Sequence, residues 1–204
     1  VLLTLEGTKY VLDATDKFAS FDVLPFRTLN IQGRAMDFKE GSYWHPIEPY
    51  ARNVHYTNAQ VKANEDGTFS GKMSEVYSGY IGMYKRKSIY SATMEKYLGN
   101  KASENSKVEI ENFTIEGLND VSESLKEDYD VVVETELIGD NTYFYPLFLT
   151  PYFTENPFTM VNRNYPVDFG CPINNTYMVT VDINNQYEVI DIPTSRIYKL
   201  PADG

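Results

Sequence analysis

The stretch that most constrains the fold is "AQVKANEDGTFSGKMSEVYSGY", residues 59–80. Two runs in it alternate between apolar and polar residues, and Glu65-Asp66-Gly67 joins them. A period of two is that of a strand, whose side chains point to opposite faces in turn. Asp-Gly supplies the positive φ angles that a tight reversal needs. Ala59, Val61 and Ala63 share one side of the first run, and Phe69, Met73 and Tyr77 share one side of the second. Such a hairpin commits the chain to an antiparallel sheet with one face turned to a core.

Other segments repeat this pattern. "TKYVLDA" is a first strand, ending at Asp13. "KVEIENFTIEG" alternates but slips phase at Asn112, which predicts a bulge. "YDVVVETEL" places Tyr129, Val131, Val133 and Leu137 on one face and Asp130, Glu134 and Glu136 on the other, with Val132 among them. "NTYFYPLFL" is more uniformly apolar, and Pro146 argues for an edge or a break there. "TYMVTVDINNQYEVIDIP" reads as a second hairpin, turning at Asn184-Asn185, and "RIYKLP" as a last short strand. The 17 tyrosines and 11 phenylalanines suit a pleated surface. The helical period is clear in one place, about 82–98, where Met83, Tyr90, Met94, Tyr97 and Leu98 fall on one face and Gly99-Asn100 stops the helix. The fold class expected is therefore mainly β: an antiparallel β-sandwich-like domain with one α-helix that packs on it.

The 204 residues suffice for one large domain, burying roughly 70% of the unfolded surface. Eighteen basic against 29 acidic residues give a net charge of −11, which opposes nucleic acid as a partner. No run approaches the roughly 18 apolar residues of a membrane span. Residues 15–50 contain prolines and glycines but little periodicity and read as a long connection. The expected division is a terminal strand plus linker over 1–50 and a β-rich domain over 51–204, cut from a longer protein and truncated at its C-terminus.

Few residues point to chemistry. Cys171 in "VDFGCPINN" has no activating neighbour in sequence. His45, His55 and Cys171 do not match zinc spacing, and "DATDKF" and "DINNQ" read as turns rather than calcium loops, so no metal or cofactor is expected. Glu134 and Glu136 share a strand face, as a glycosidase pair would, but alternation alone puts acids on the wet side. The Asn-x-Thr triplets at Asn112 and Asn174 are read as coincidental. Tyr43, Trp44 and Tyr50 lie close in sequence and are candidate ligand-binding rings for a glycan or peptide.

The strand-end aspartate in "YVLDATD", the "DVLP" segment, the run from Asn156 to Gly170 and the strands ending in "DIP" together resemble the C-terminal region of bacterial transglutaminase-like proteins. The resemblance implies that Asp13, with Asp16 as the weaker candidate, is the orienting aspartate of a Cys-His-Asp triad. An orienting carboxylate fixes the imidazole tautomer and supports its cation. The nucleophile and base would then lie upstream of Val1, because His45 and His55 follow Asp13 in the wrong order. The implied function is a non-catalytic accessory or interaction domain of a secreted bacterial protein. Its location would be extracytoplasmic and its main partner the rest of the parent protein, with self-association through exposed strand edges. The alternative is a carbohydrate- or peptide-binding module using Tyr43, Trp44 and Tyr50.

Overall fold

The structure is a computed structural model that describes residues 1–39, 41–50, 52–103, 107–146, 158–160, 162, 164, 167 and 169–199. It is mainly β. The hairpin expected at Asp66-Gly67 is formed: β5 (Val54–Ala63) pairs antiparallel with β6 (Phe69–Tyr77), Ala63 opposite Phe69. Gly67 sits at φ +86°, a region where a Cβ is strained. The Asp66 carboxylate accepts from the Thr68 amide at 3.0 Å and its hydroxyl at 2.7 Å, which fixes the reversal.

A second antiparallel pair extends this hairpin. β8 (Leu125–Val133) lies against β6, and β7 (Val108–Glu116) against β8. The register shift between Glu111 and Thr114, with Asn112 at φ +51°, is the expected bulge. On the other side of β5 runs β11 (Asn174–Asp182), parallel to it, giving a five-stranded mixed sheet in the order β11-β5-β6-β8-β7. Three antiparallel two-stranded hairpins stand apart: β1 (Leu2–Leu5) with β2 (Thr8–Val11), β3 (Gln32–Asp37) with β4 (Gly41–Pro46), and β9 (Glu136–Ile138) with β10 (Asn141–Tyr143).

The expected single helix is two: α1 (Gly79–Tyr90) and α2 (Met94–Ser103). The sequence between them explains the break. The Ser91 hydroxyl donates back to the Ser88 carbonyl at 2.8 Å, and the Thr93 hydroxyl accepts from the Lys96 amide at 3.2 Å. Ser-Ala-Thr thus closes one helix and caps the next. Gly99 and Asn100 lie inside α2 instead of ending it. The break also re-aims the apolar stripe: Met83, Ile89 and Tyr97 are buried, whereas Tyr90 and Met94 are exposed.

Further corrections follow β8 and β11. β8 ends at Val133, so Leu137 belongs to β9 and is exposed. Glu134 and Glu136 therefore do not share a strand face; both are exposed, and Glu136 lies 3.3 Å from Lys107. The chain does turn at Asn184, at φ +53°, but no return strand pairs with β11 among the described residues. Instead the Asn184 side-chain Nδ2 donates to the Ala63 carbonyl at 3.0 Å, and Ile183 and Tyr187 pack against the sheet. Residues 196–199 form no ladder with described residues, and Leu200 and Pro201 lie outside them. So does most of the Asn156–Gly170 run and of the segment after Pro146.

The sheet has a dry face and a wet one. Ala59, Val61, Ala63, Phe69, Met73, Tyr129, Val131 and Val133 form the dry core. Phe144, Ile183 and Tyr187 cover one end of it. The two helices cover the other, where Ile89 and Tyr97 meet Tyr77 and Leu125. A full large side chain buried there stabilises by about 2 kcal/mol. The far side of α1 is covered in turn. Val23, Phe18, Phe26, Leu29 and Tyr50 pack around its Tyr80 and Met83, with Cys171 alongside. The stretch expected to be a connection is thus a layer of the core from residue 18 to 29.

Candidate functional site

Alternation puts two carboxylates on the dry face. Glu75 stands between Met73 and Tyr77 on β6, and Glu127 between Leu125 and Tyr129 on β8, directly opposite one another in the ladder. Glu75 is buried, and Glu127 is 0% exposed. Lys101, from the last turn of α2, enters between them: its amine donates to both carboxylates, with 2.6 Å to Glu127 Oε2. Tyrosine hydroxyls supply further donors. Tyr129 donates to Glu75 Oε2 at 2.6 Å, Tyr97 to Glu127 Oε1, and Tyr77 to Glu127 Oε2 at 3.4 Å. His55 Nε2 lies 3.2 Å from Glu75 Oε1, and its ring stacks on Tyr77 at 4.6 Å. Lys85 approaches Glu127 from the rim at 4.0 Å.

Burial acts against both charges at the Glu75–Lys101 pair. It pushes the Glu75 pKa up, but the bond from His55 and the Lys101 charge and bond, with Tyr129, outweigh it and hold this carboxyl well below the usual range. Burial pushes Lys101 down, and the two carboxylates more than reverse this, so its amine stays charged. Burial, with the Glu75 charge, pushes the Tyr129 hydroxyl far above 10.0. Glu75 and Lys101 are ionised and paired, Tyr129 keeps its proton as a hydrogen-bond donor, and all three are closed off from solvent. Their chemistry is that of an electrostatic clamp of α2 on the sheet. The sequence pattern contained the signal for both carboxylates, since each has the parity of its apolar neighbours.

Asp13 ends the N-terminal hairpin. Its Oδ1 accepts from the Thr15 amide at 2.7 Å and hydroxyl at 2.6 Å, and Arg27 lies 3.9 Å from Oδ2. The Thr15 bonds hold its pKa below 3.8. Asp16 is buried and serves as an anchor: Lys87 of α1 pairs with its Oδ2, Arg27 lies 3.7 Å away, and the Phe18 amide donates to Oδ1 at 3.1 Å. Cys171 packs in the Tyr80 cluster, where burial raises its thiol pKa. That shift leaves the thiol poorly nucleophilic. His55 is engaged by Glu75, and His45 belongs to β4.

The three aromatic candidates are not assembled into one platform. Tyr43 and Trp44 are consecutive on β4 and so face opposite ways. The Lys9 amine sits 5.0 Å over the Tyr43 ring, and the Arg34 guanidinium 5.3 Å over Trp44. Tyr50 lies apart, its ring half buried in the Tyr80 cluster. Among the described residues no three His, Cys, Asp or Glu side chains are placed to hold a metal ion, and no helix is long and apolar enough to cross a membrane.

Residues 140–202 match a family model described as a domain of unknown function with solved structure, DUF3858. The matched part contains β10, β11 and the segment after it. Because β11 pairs along β5, this region completes the sheet that the middle of the chain begins. No curated protein and no solved structure matches the chain.

Proposed function

We propose that the chain is a non-catalytic accessory domain of a secreted bacterial transglutaminase-like protein, and that Asp13 serves a histidine supplied from outside it. The placement of Asp13 supports this reading most. The carboxylate is ionised, lies at the end of a hairpin, and spends one oxygen on Thr15 while the other meets Arg27 only at 3.9 Å. The chain's own thiol and its His55 imidazole are committed to other clusters, Cys171 beside Tyr80 and His55 at Glu75. An orienting carboxylate without its own nucleophile and base acts only on partners that another segment brings.

The experiment assays the purified chain for amidase, protease and cross-linking activity, then assays it joined to its upstream region. The chain alone is expected to be inactive. The joined protein is expected to turn over and to lose at least about a hundredfold in rate with Asp13→Asn, as a triad loses its orienting group. Turnover by the chain alone that survives Cys171→Ala but disappears with Asp13→Ala contradicts the proposal. Fractionation of the native cells tests the extracytoplasmic location.

A further inference from the structure

A cleft of about 600 Å³ opens between the N-terminal hairpin and a wall made by residues 45–50 with Arg52. Three separate segments converge on it. Val11, Leu24, Pro46, Pro49 and Tyr50 make its apolar walls. Ionisable groups of both signs ring it: Lys9, His45 and Arg52, and against them Asp22 and Glu48. Nearby, Asp13 and Asp16 both meet Arg27, and Asp16 also pairs with Lys87 of α1. In the cleft, none of the five forms an ion pair with a described residue; Lys9 contacts only the Tyr43 hydroxyl, at 3.4 Å, and its ring.

The wall beside these charges is fixed in advance. The Tyr50 backbone amide donates to the Tyr80 hydroxyl at 3.3 Å, and the Tyr50 carbonyl accepts from the Asn53 side-chain Nδ2 at 2.5 Å. Asn53 is itself buried and tied to the Pro172 carbonyl at 2.9 Å and the Tyr80 amide at 2.8 Å. Asp22 is held at φ +69°, a backbone region that a residue with a Cβ seldom adopts. A pre-positioned concavity of this size, rimmed by charged groups over a few apolar side chains, suits a small polar ligand.

We propose that this cleft binds a short extended peptide carrying an acidic and a basic side chain, with a small residue between them against the apolar walls. Charge complementarity favours this occupant over a neutral glycan. Lys9 and Arg52 meet the acidic side chain, and Asp22 and Glu48 the basic one. In an extended peptide residues i and i+2 share one face, so the two charged side chains reach the rim together while the small residue between them points to the opposite wall. The inference does not rest on the transglutaminase reading: the cleft lies wholly within this chain, and its occupancy is measured without turnover.

The test is an NMR titration of the whole chain with the blocked tripeptide acetyl-Lys-Ala-Glu-amide. Two comparison probes are its neutral isostere acetyl-Gln-Ala-Gln-amide and the trisaccharide chitotriose. The charged peptide is expected to shift the Val11 and Tyr50 amide signals saturably, with the neutral peptide about tenfold weaker or more, the loss of one charge-assisted bond. Arg52→Gln and Glu48→Gln should each weaken the charged peptide by a similar factor while leaving the melting temperature unchanged. No saturable shift, equal or tighter binding of the neutral peptide or of chitotriose, or binding indifferent to both substitutions overturns the proposal.

Discussion

Removing the Lys101 amine leaves Glu75 and Glu127 facing each other across two strands, with Lys85 only at the rim. Two buried carboxylates cannot both stay ionised without the cation between them. Lys101→Ala is therefore expected to cost about 3–5 kcal/mol, the range for breaking a buried ion pair from one side, measured by urea denaturation. Lys101→Met with Glu75→Gln and Glu127→Gln together should recover a large part of that loss, since no uncompensated charge remains. The same cluster sets a pH window. Glu75 is held below its ordinary 4.5, so its contribution is present above pH 4.5 and is lost as pH falls toward the depressed value. Lys101 is held above its ordinary 10.5, so its contribution is complete below pH 10.5 and is lost as pH rises through the raised value. Melting temperature against pH should show a plateau between these limits. A curve whose acid limb is unchanged by Glu75→Gln would show that some other carboxylate controls it.

At the scale of elements, the turn at Asp66-Gly67 carries the sheet's first register. Gly67→Val puts a β-branched side chain at φ +86° and is expected to cost about 1 kcal/mol or more, read from the denaturation midpoint at an unchanged slope. This hairpin, the bulge at Asn112 and the dry faces of β6 and β8 were all legible in the sequence, because each depends on residues within one turn or one strand. The helix break was not, although Ser91 and Thr93 are good capping residues: the apolar stripe runs across 82–98 and masks a local stop. The partner of β11 was out of reach for another reason. Asn184 does mark a turn, but alternation names a strand without naming what it pairs with, and β5 lies about 120 residues earlier. The buried carboxylates were legible as parity and unreadable as a cluster, since the cation between them comes from a helix whose place the break determines.

On the scale of the whole molecule, surface exposure is the open feature. Among the described residues β11 pairs only along β5, leaving the other edge of nine residues without proline. Beyond it Ile190 at 78%, Ile197 at 83% and Tyr198 at 84% exposure lie in a stretch, residues 189–199, that forms no helix or strand. Unpaired donors and acceptors beside β-branched side chains recruit further strands. Sedimentation velocity is expected to show a mean mass rising with protein concentration, and Val179→Pro or Met178→Lys on β11 should reduce it. A single monomeric species across the whole concentration range would mean that the edge is covered within one chain. At the opposite end β7 carries the Asn112 bulge, which makes it the poorer template.

The parallel seating of β11 on β5 also orders events in time. β5, β6, β8 and β7 are joined by antiparallel contacts of modest sequence separation, and their antiparallel sheet can zip as soon as residue 133 is available. The nine-residue pairing of β11 with β5 must instead close a loop of more than a hundred residues, an entropic toll that no local contact offsets beforehand. During synthesis the flank of β5 therefore stays uncovered until residues 174–182 have left the ribosome. In that interval Val61 and its neighbours form the part of the nascent protein most vulnerable to capture by another unfinished chain.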